Sequence, residues 1–288
     1  MGLDEGAEPL NPSFRVRVLW RHLLRRVKYL LGREPALLPI LLRLTPLGTS
    51  RRITASTDLV IEGFPRSGNT FTTFAVEDSS GYALAIASHV HQPSQIKRAL
   101  ARGVPTVFVI RDPVSALASY LVYDQRFSAS TVIGEYCEYH RQLVPYAERV
   151  LVCQFEEVTS EMSSVIDRIN QRYSLQISAF NEDPSNVKRV LAHIELRHRL
   201  IHPDLDPAVS AASPHTNRRA VTEQMREELL HPRNAVQMAR AQEYFEFFCA
   251  VASRQREAHS RGDSVGKRSN RSSAGEQSEH TDFSGAPG

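Results

Sequence analysis

The chain has 288 residues, 41% of them hydrophobic and 23% charged, with a formal net charge of +3. That is enough chain for one large domain, or two small ones, with a sizeable core. So weak a charge, with no regular basic-aromatic pattern, argues against a nucleic-acid partner. Three scattered cysteines, Cys137, Cys153 and Cys249, offer neither a metal spacing nor a disulfide framework, which points to a reducing, cytoplasmic setting.

No stretch reaches 18 apolar residues, so no transmembrane helix is expected. The acidic start lacks a signal-peptide core, and Gly2 lacks the Ser or Thr at position 6 that myristoylation requires. Residues 1–56 read as a basic helical extension. Within it, Val16, Leu19, Trp20, Leu23, Leu24, Val27, Leu30 and Leu31 fall at helical spacing, interleaved with Arg15, Arg17, Arg21, Arg25, Arg26 and Lys28. Such a helix over 14–31 fits a peripheral membrane contact, and equally a helix packed on the domain. The following Leu-rich stretch, 35–46, is broken by three prolines.

The body of the chain is predicted over 57–254. Leu59 to Glu62 is a short apolar strand, Gly63 to Gly68 a tight turn, and from Asn69 the spacing becomes helical. A strand, a glycine turn and a helix start form an anion site, because first-turn N–H groups lack internal partners and carry the positive end of the helix dipole. Gly63, Gly68 and Thr70 match the nucleotide loop G-x-x-x-x-G-K-[ST], but Asn69 stands at the lysine position and the loop cation is Arg66.

Further on, helices are predicted at 94–102, 113–123, 132–149, 162–173, 186–200, 222–230 and 235–252, with strands at 104–110 and 150–155. Strands alternating with helices indicate an α/β fold of three layers, P-loop-type, with a central, mainly parallel sheet flanked by helices. Pro203, Pro207 and Pro214 mark a long loop, and 255–288 reads as a disordered polar tail. Arg111 ends the second strand. Ser119 follows eight residues later, with Ser115 one helical turn before it, so a guanidinium and hydroxyls can bind a second phosphate there.

Taken together, the two stretches resemble a known family. Pro65-Arg66-Ser67-Gly68-Asn69-Thr70-Phe71 resembles the 5′-phosphosulfate loop of sulfotransferases that use 3′-phosphoadenylyl sulfate (PAPS), and Arg111-Asp112-Pro113 with Ser119 resembles their 3′-phosphate motif. Ser88-His89-Val90 sits where the cytosolic enzymes carry Thr-His-Leu. Gln154 to Val158 looks like their Tyr-Glu-Asp-Leu strand end, and Ala239 to Phe248 like their final helix.

The resemblance implies the following roles. Arg66, Ser67, Gly68, Asn69 and Thr70 hold the 5′-phosphosulfate, and Phe71 stacks on adenine. Arg111 and Ser119 hold the 3′-phosphate, with Arg218 or Arg219 completing it. His89 is the base that takes the proton of an acceptor hydroxyl, with His91 as its rival, while Arg66 stabilises the leaving side. It further implies a hydroxyl-bearing acceptor, a small molecule, glycan or lipid, with the basic extension pointing to a lipid or lipid-linked glycan at a membrane face, together with release of 3′-phosphoadenosine 5′-phosphate (PAP) and no metal. Two departures stand out: Arg66 replaces the family's loop Lys, and Ala87 stands where its Lys precedes Thr-His. A P-loop kinase or NTPase, and a non-catalytic PAP-binding protein of the same fold, remain open alternatives.

Overall fold

The computed structural model describes residues 52–124, 127–201 and 219–275, together with positions 34 and 36. The expected helix at 14–31, residues 37–46, Arg218, the prolines at 203, 207 and 214 and the last thirteen residues lie outside the described residues.

The core is a four-stranded, all-parallel sheet flanked by helices, in the order β2-β1-β3-β4. Its strands are β1 (Leu59–Gly63), β2 (Ile86–Ser88), β3 (Thr106–Ile110) and β4 (Leu151–Gln154). Every residue of β1 and β3 is buried, as expected of central parallel strands covered on both faces. Alternation along the strands sorts their side chains into two layers. Leu59, Ile61, Val107, Val109, Leu151 and Cys153 pack with α1 (Asn69–Ser79), α6 (Met162–Tyr173) and α7 (Pro184–Ile201). Phe108, Ile110 and Val152 pack on the other face with α3 (Pro113–Tyr123), α4 (Ala129–Arg141) and α9 (Ala235–Gly275). Helix α2 (Pro93–Ala101) covers Val60 and Ala87 through Ala99. Helices α5 (Phe155–Ser160) and α8 (Arg219–Leu230) complete the set.

This order positions the site. From β1 the chain crosses to β2 on one side, and from β3 it crosses to β4 on the other. The crevice between the carboxyl ends of β1 and β3 is therefore a topological switch point, where ligands of open α/β sheets bind.

Several boundaries differ from the sequence reading. The helix predicted over 132–149 ends at Arg141 and a 3₁₀ segment, Val144–Arg149, follows, because Pro145 cannot continue an α-helix and restrains the residue before it. Phe155 opens α5 rather than ending β4, since Gln154 and Glu157 form a reciprocal capping box. The three-residue β2 is too short to show an alternation.

The polar stretch read from 255 begins inside helix α9, which spans Ala235–Gly275, and polar pairs tie residues 255–259 to the domain. Gln255 accepts from the Val152 N–H and donates to the Val150 carbonyl, both at 2.9 Å, satisfying the open edge of the sheet. Arg256 pairs with Glu157, and His259 bonds Gln171. Among the described residues, no helix is long and apolar enough to cross a membrane.

Candidate functional site

The loop after β1 is held in a shape few sequences permit. A Cβ on Gly63 would meet the Val109 carbonyl oxygen at 2.3 Å, so only glycine fits beside β3. Gly68, at φ +97°, is the N-cap of α1, and Arg66 takes φ +69°. The Asn69 Nδ2 donates to the carbonyls of Gly63 and Phe64 at 3.3 and 3.2 Å, latching the loop shut from inside. Phe64 is the floor, wedged among Tyr120, Tyr136, Tyr139 and His140 with ring centroids 5.1–6.2 Å away. Among the described residues no side chain caps the start of α1, and no acidic residue sits in its first turn. Helix starts of this kind are suited to an anion. The Ser67 hydroxyl is fully buried in the same loop and has no hydrogen-bond partner among the described residues. A buried orphan donor costs about 1–3 kcal/mol, and a phosphate-bearing ligand is the kind of partner that would relieve it.

The second loop follows β3. Arg111 donates from Nη1 to the Arg66 carbonyl at 2.9 Å, and its guanidinium lies over the Phe155 ring at 3.9 Å. The Tyr136 hydroxyl donates to the Arg111 carbonyl at 3.0 Å, and burial holds that phenol far above its ordinary pKa. Asp112 caps α3 by accepting from the Ser115 N–H at 2.8 Å. Ser115 and Ser119, one turn apart on α3, each receive an arginine: Arg226 of α8 donates to Ser115 Oγ at 2.9 Å, and Arg66 Nε to Ser119 Oγ at 3.0 Å. Burial lowers the Arg111 pKa; Glu156 and Asp112 pull it back up, and the positive charge of Arg226 pushes it down. The guanidinium nonetheless stays charged at neutral pH.

On the far side of β1, the register Ile61–Ser88 brings the end of β2 beside the first loop. His89 is bracketed by two hydroxyls: Ser88 Oγ lies 2.6 Å from Nδ1, and Thr70 Oγ1 lies 3.1 Å from Nε2. His89 and His91 both adopt positive φ, +63° and +54°. The buried Glu62 carboxylate holds that backbone by accepting from the N–H groups of Val90 and His91 at 2.8 and 3.0 Å. His91 Nδ1 donates to the Gly63 carbonyl at 2.9 Å, and the two imidazoles meet edge to face at 5.9 Å.

The structure therefore brings together Arg66, Ser67, Gly68, Asn69, Thr70, His89, His91, Arg111 and Ser119. Phe71 is packed as a core residue, buried on α1 with its ring 6.0 Å from that of Phe180. Arg219 opens α8 and is exposed; the α8 cation that reaches the group is Arg226, about two turns further on. Ala87 is buried in β2 against Val60 and Ala99. Sequence reasoning misses Arg226 because its partner lies 111 positions away. It also leaves the role of Glu62 open, although a carboxylate inside an apolar strand was the available signal. No protein-family model matches the chain, and no curated protein matches it.

Proposed function

We propose that this chain is a PAPS-dependent sulfotransferase with a P-loop-type fold, transferring a sulfuryl group to an acceptor hydroxyl and releasing PAP. The observation that carries the reading is the joining of its two motifs. Arg111 bonds the backbone of Arg66, and Arg66 bonds Ser119, so two anion-binding loops open on one switch point. PAPS supplies a sulfuryl group on a phosphate leaving group. In this reading the α1 N–H groups, Ser67 and Thr70 hold the 5′ end, while Arg111 and Ser119 hold the 3′-phosphate. His89 Nε2 accepts the hydroxyl proton once Thr70 turns to the ligand. For that, Nδ1 keeps its hydrogen and donates it to Ser88 Oγ. His91 is the second candidate base, because its Nδ1–H is committed to Gly63 and its Nε2 is the basic nitrogen of the neutral ring.

Asn69 counts against the kinase or NTPase alternative, since the position that would hold a phosphate-binding lysine is a latch on the loop backbone. One observation favours a non-catalytic PAP-binding protein: Ala87 faces the core and supplies no cation beside His89. The same proposal includes a cytoplasmic setting, consistent with three free cysteines. It also includes peripheral membrane contact through residues 14–31 and an acceptor on a lipid or glycan. Undiminished sedimentation with anionic liposomes after deletion of residues 1–56 would refute that contact.

Calorimetric titration with PAP, adenosine 5′-phosphate and Mg-ATP at one salt concentration tests the nucleotide site. The expected result is tight PAP binding with weak binding of the other two. A preference for ATP overturns the reading in favour of the kinase or NTPase. Labelled PAPS offered to a panel of hydroxyl-bearing lipids and glycans then separates the enzyme from the non-catalytic protein.

A further inference from the structure

The resemblance assigns Arg66 to the 5′-phosphosulfate, but its side chain runs the other way. Its Nε bonds Ser119 on α3, and its guanidinium carbon lies 5.6 Å from the ring centroid of Tyr123, one turn further along that helix. The next serine back, Ser115, carries Arg226, and Arg111 reaches in from the end of β3. Two guanidiniums thus reach α3 at serines one turn apart, and Arg111, bonded to the Arg66 carbonyl, adds a third positive charge nearby, tempered by the carboxylates of Glu156 and Asp112 beside it. The other end of the crevice is neutral by comparison. It offers first-turn N–H groups, the orphaned Ser67 hydroxyl, Thr70 and the imidazole of His89.

We propose that Arg66 is a selectivity residue for the 3′-phosphate, acting with Ser119, Arg111, Ser115 and Arg226, and that neutral donors alone hold the 5′ end. The inference rests on the PAP reading above and goes beyond it in reassigning the loop cation. Charge supports the division. A terminal phosphate monoester carries a charge of about −1.5 to −2 at neutral pH, whereas the two groups of a phosphosulfate carry about one each. The most highly charged single group of PAPS then meets the arginines, whose planar forks suit a phosphate.

The test is titration of wild type, Arg66→Gln and Ser119→Ala with PAP and with adenosine 5′-phosphate, which shares the 5′ end but lacks the 3′-phosphate. Arg66→Gln should weaken PAP binding about 10- to 100-fold while leaving adenosine 5′-phosphate within about twofold, and Ser119→Ala should act in the same direction with a smaller effect. The retained adenosine 5′-phosphate binding doubles as the check that each variant is folded. Equal losses for both nucleotides would return Arg66 to the 5′ end and overturn the inference, as would no loss for either. A wild-type protein with no preference for PAP would instead remove the reading beneath it.

Discussion

The two ends of the switch-point crevice are built in opposite ways. The α3 end is assembled from charges brought together across the fold, Arg66, Arg111 and Arg226, each resting on a hydroxyl, a carbonyl or an aromatic ring. The β2 end comes from neighbouring strands and uses neutral donors and acceptors around His89, with one buried carboxylate, Glu62, tied up in holding backbone. Under the proposed function, binding and chemistry fall at separate ends: charge at one end would set affinity, and proton transfer at the other would depend on the placement of an imidazole.

The first loop rests through Phe64 on a buried aromatic cluster, and the largest effect is expected there. His140 is fully buried against Tyr136, Phe64 and Phe108, and donates from Nδ1 to the Tyr136 carbonyl at 2.8 Å. Burial lowers its pKa from 6.5 to about 4. The unfolded chain binds a proton here below pH 6.5, but the folded chain does so only near pH 4. The contribution is therefore complete above pH 6.5 and is lost as the pH falls from 6.5 to 4. It amounts to about 3 kcal/mol. Denaturant unfolding of wild type and His140→Phe across this range checks it: the variant should lose that share of the acid sensitivity. Parallel curves for the two proteins would reject the assignment.

The two ends should then part company. His89→Ala is expected to lower turnover about 100-fold and spare PAP affinity. If His91→Ala does so instead, the base moves to His91. Arg111→Ala should do the reverse, weakening PAP binding by about 1.5–3 kcal/mol through loss of a charge-assisted contact. A variant that moves affinity and turnover together at either position would dissolve the distinction.

The same division explains what could be read from the sequence. β1 and β3 are continuous apolar runs, and α3 begins at a proline suited to a first turn, so their positions are local properties of the chain. The loop 63–68 and the Arg111–Ser119 pair were legible for the same reason, being strand-to-helix junctions with fixed spacing. Arg226 was not, because it joins the site only through the packing of α8 on α3, and nothing around it in sequence announces a phosphate. The start of the polar stretch of α9 was not legible either, because Gln255, Arg256 and His259 are held by partners on β4, α5 and α6. Burial reasoning counts apolar residues and cannot foresee such pairings.

The smallest expected effect is also the most specific to the β2 end. Ser88 Oγ, 2.6 Å from His89 Nδ1, contacts the ring on the side away from Thr70. If it accepts the Nδ1–H, it fixes the tautomer that leaves Nε2 basic, and it stabilises the imidazolium more than the neutral ring, because a cationic donor makes the stronger bond. Ser88→Ala should therefore lower turnover about tenfold, at an effective cost of about 1.4 kcal/mol, with PAP affinity unchanged. The acidic limb of the pH profile should also move to lower pH, since the protonated ring has lost its support. A serine that only packed against the ring would slow turnover without moving that limb. A Ser88→Thr variant, which keeps the hydroxyl, should restore both rate and profile if the bond to Nδ1 is what matters.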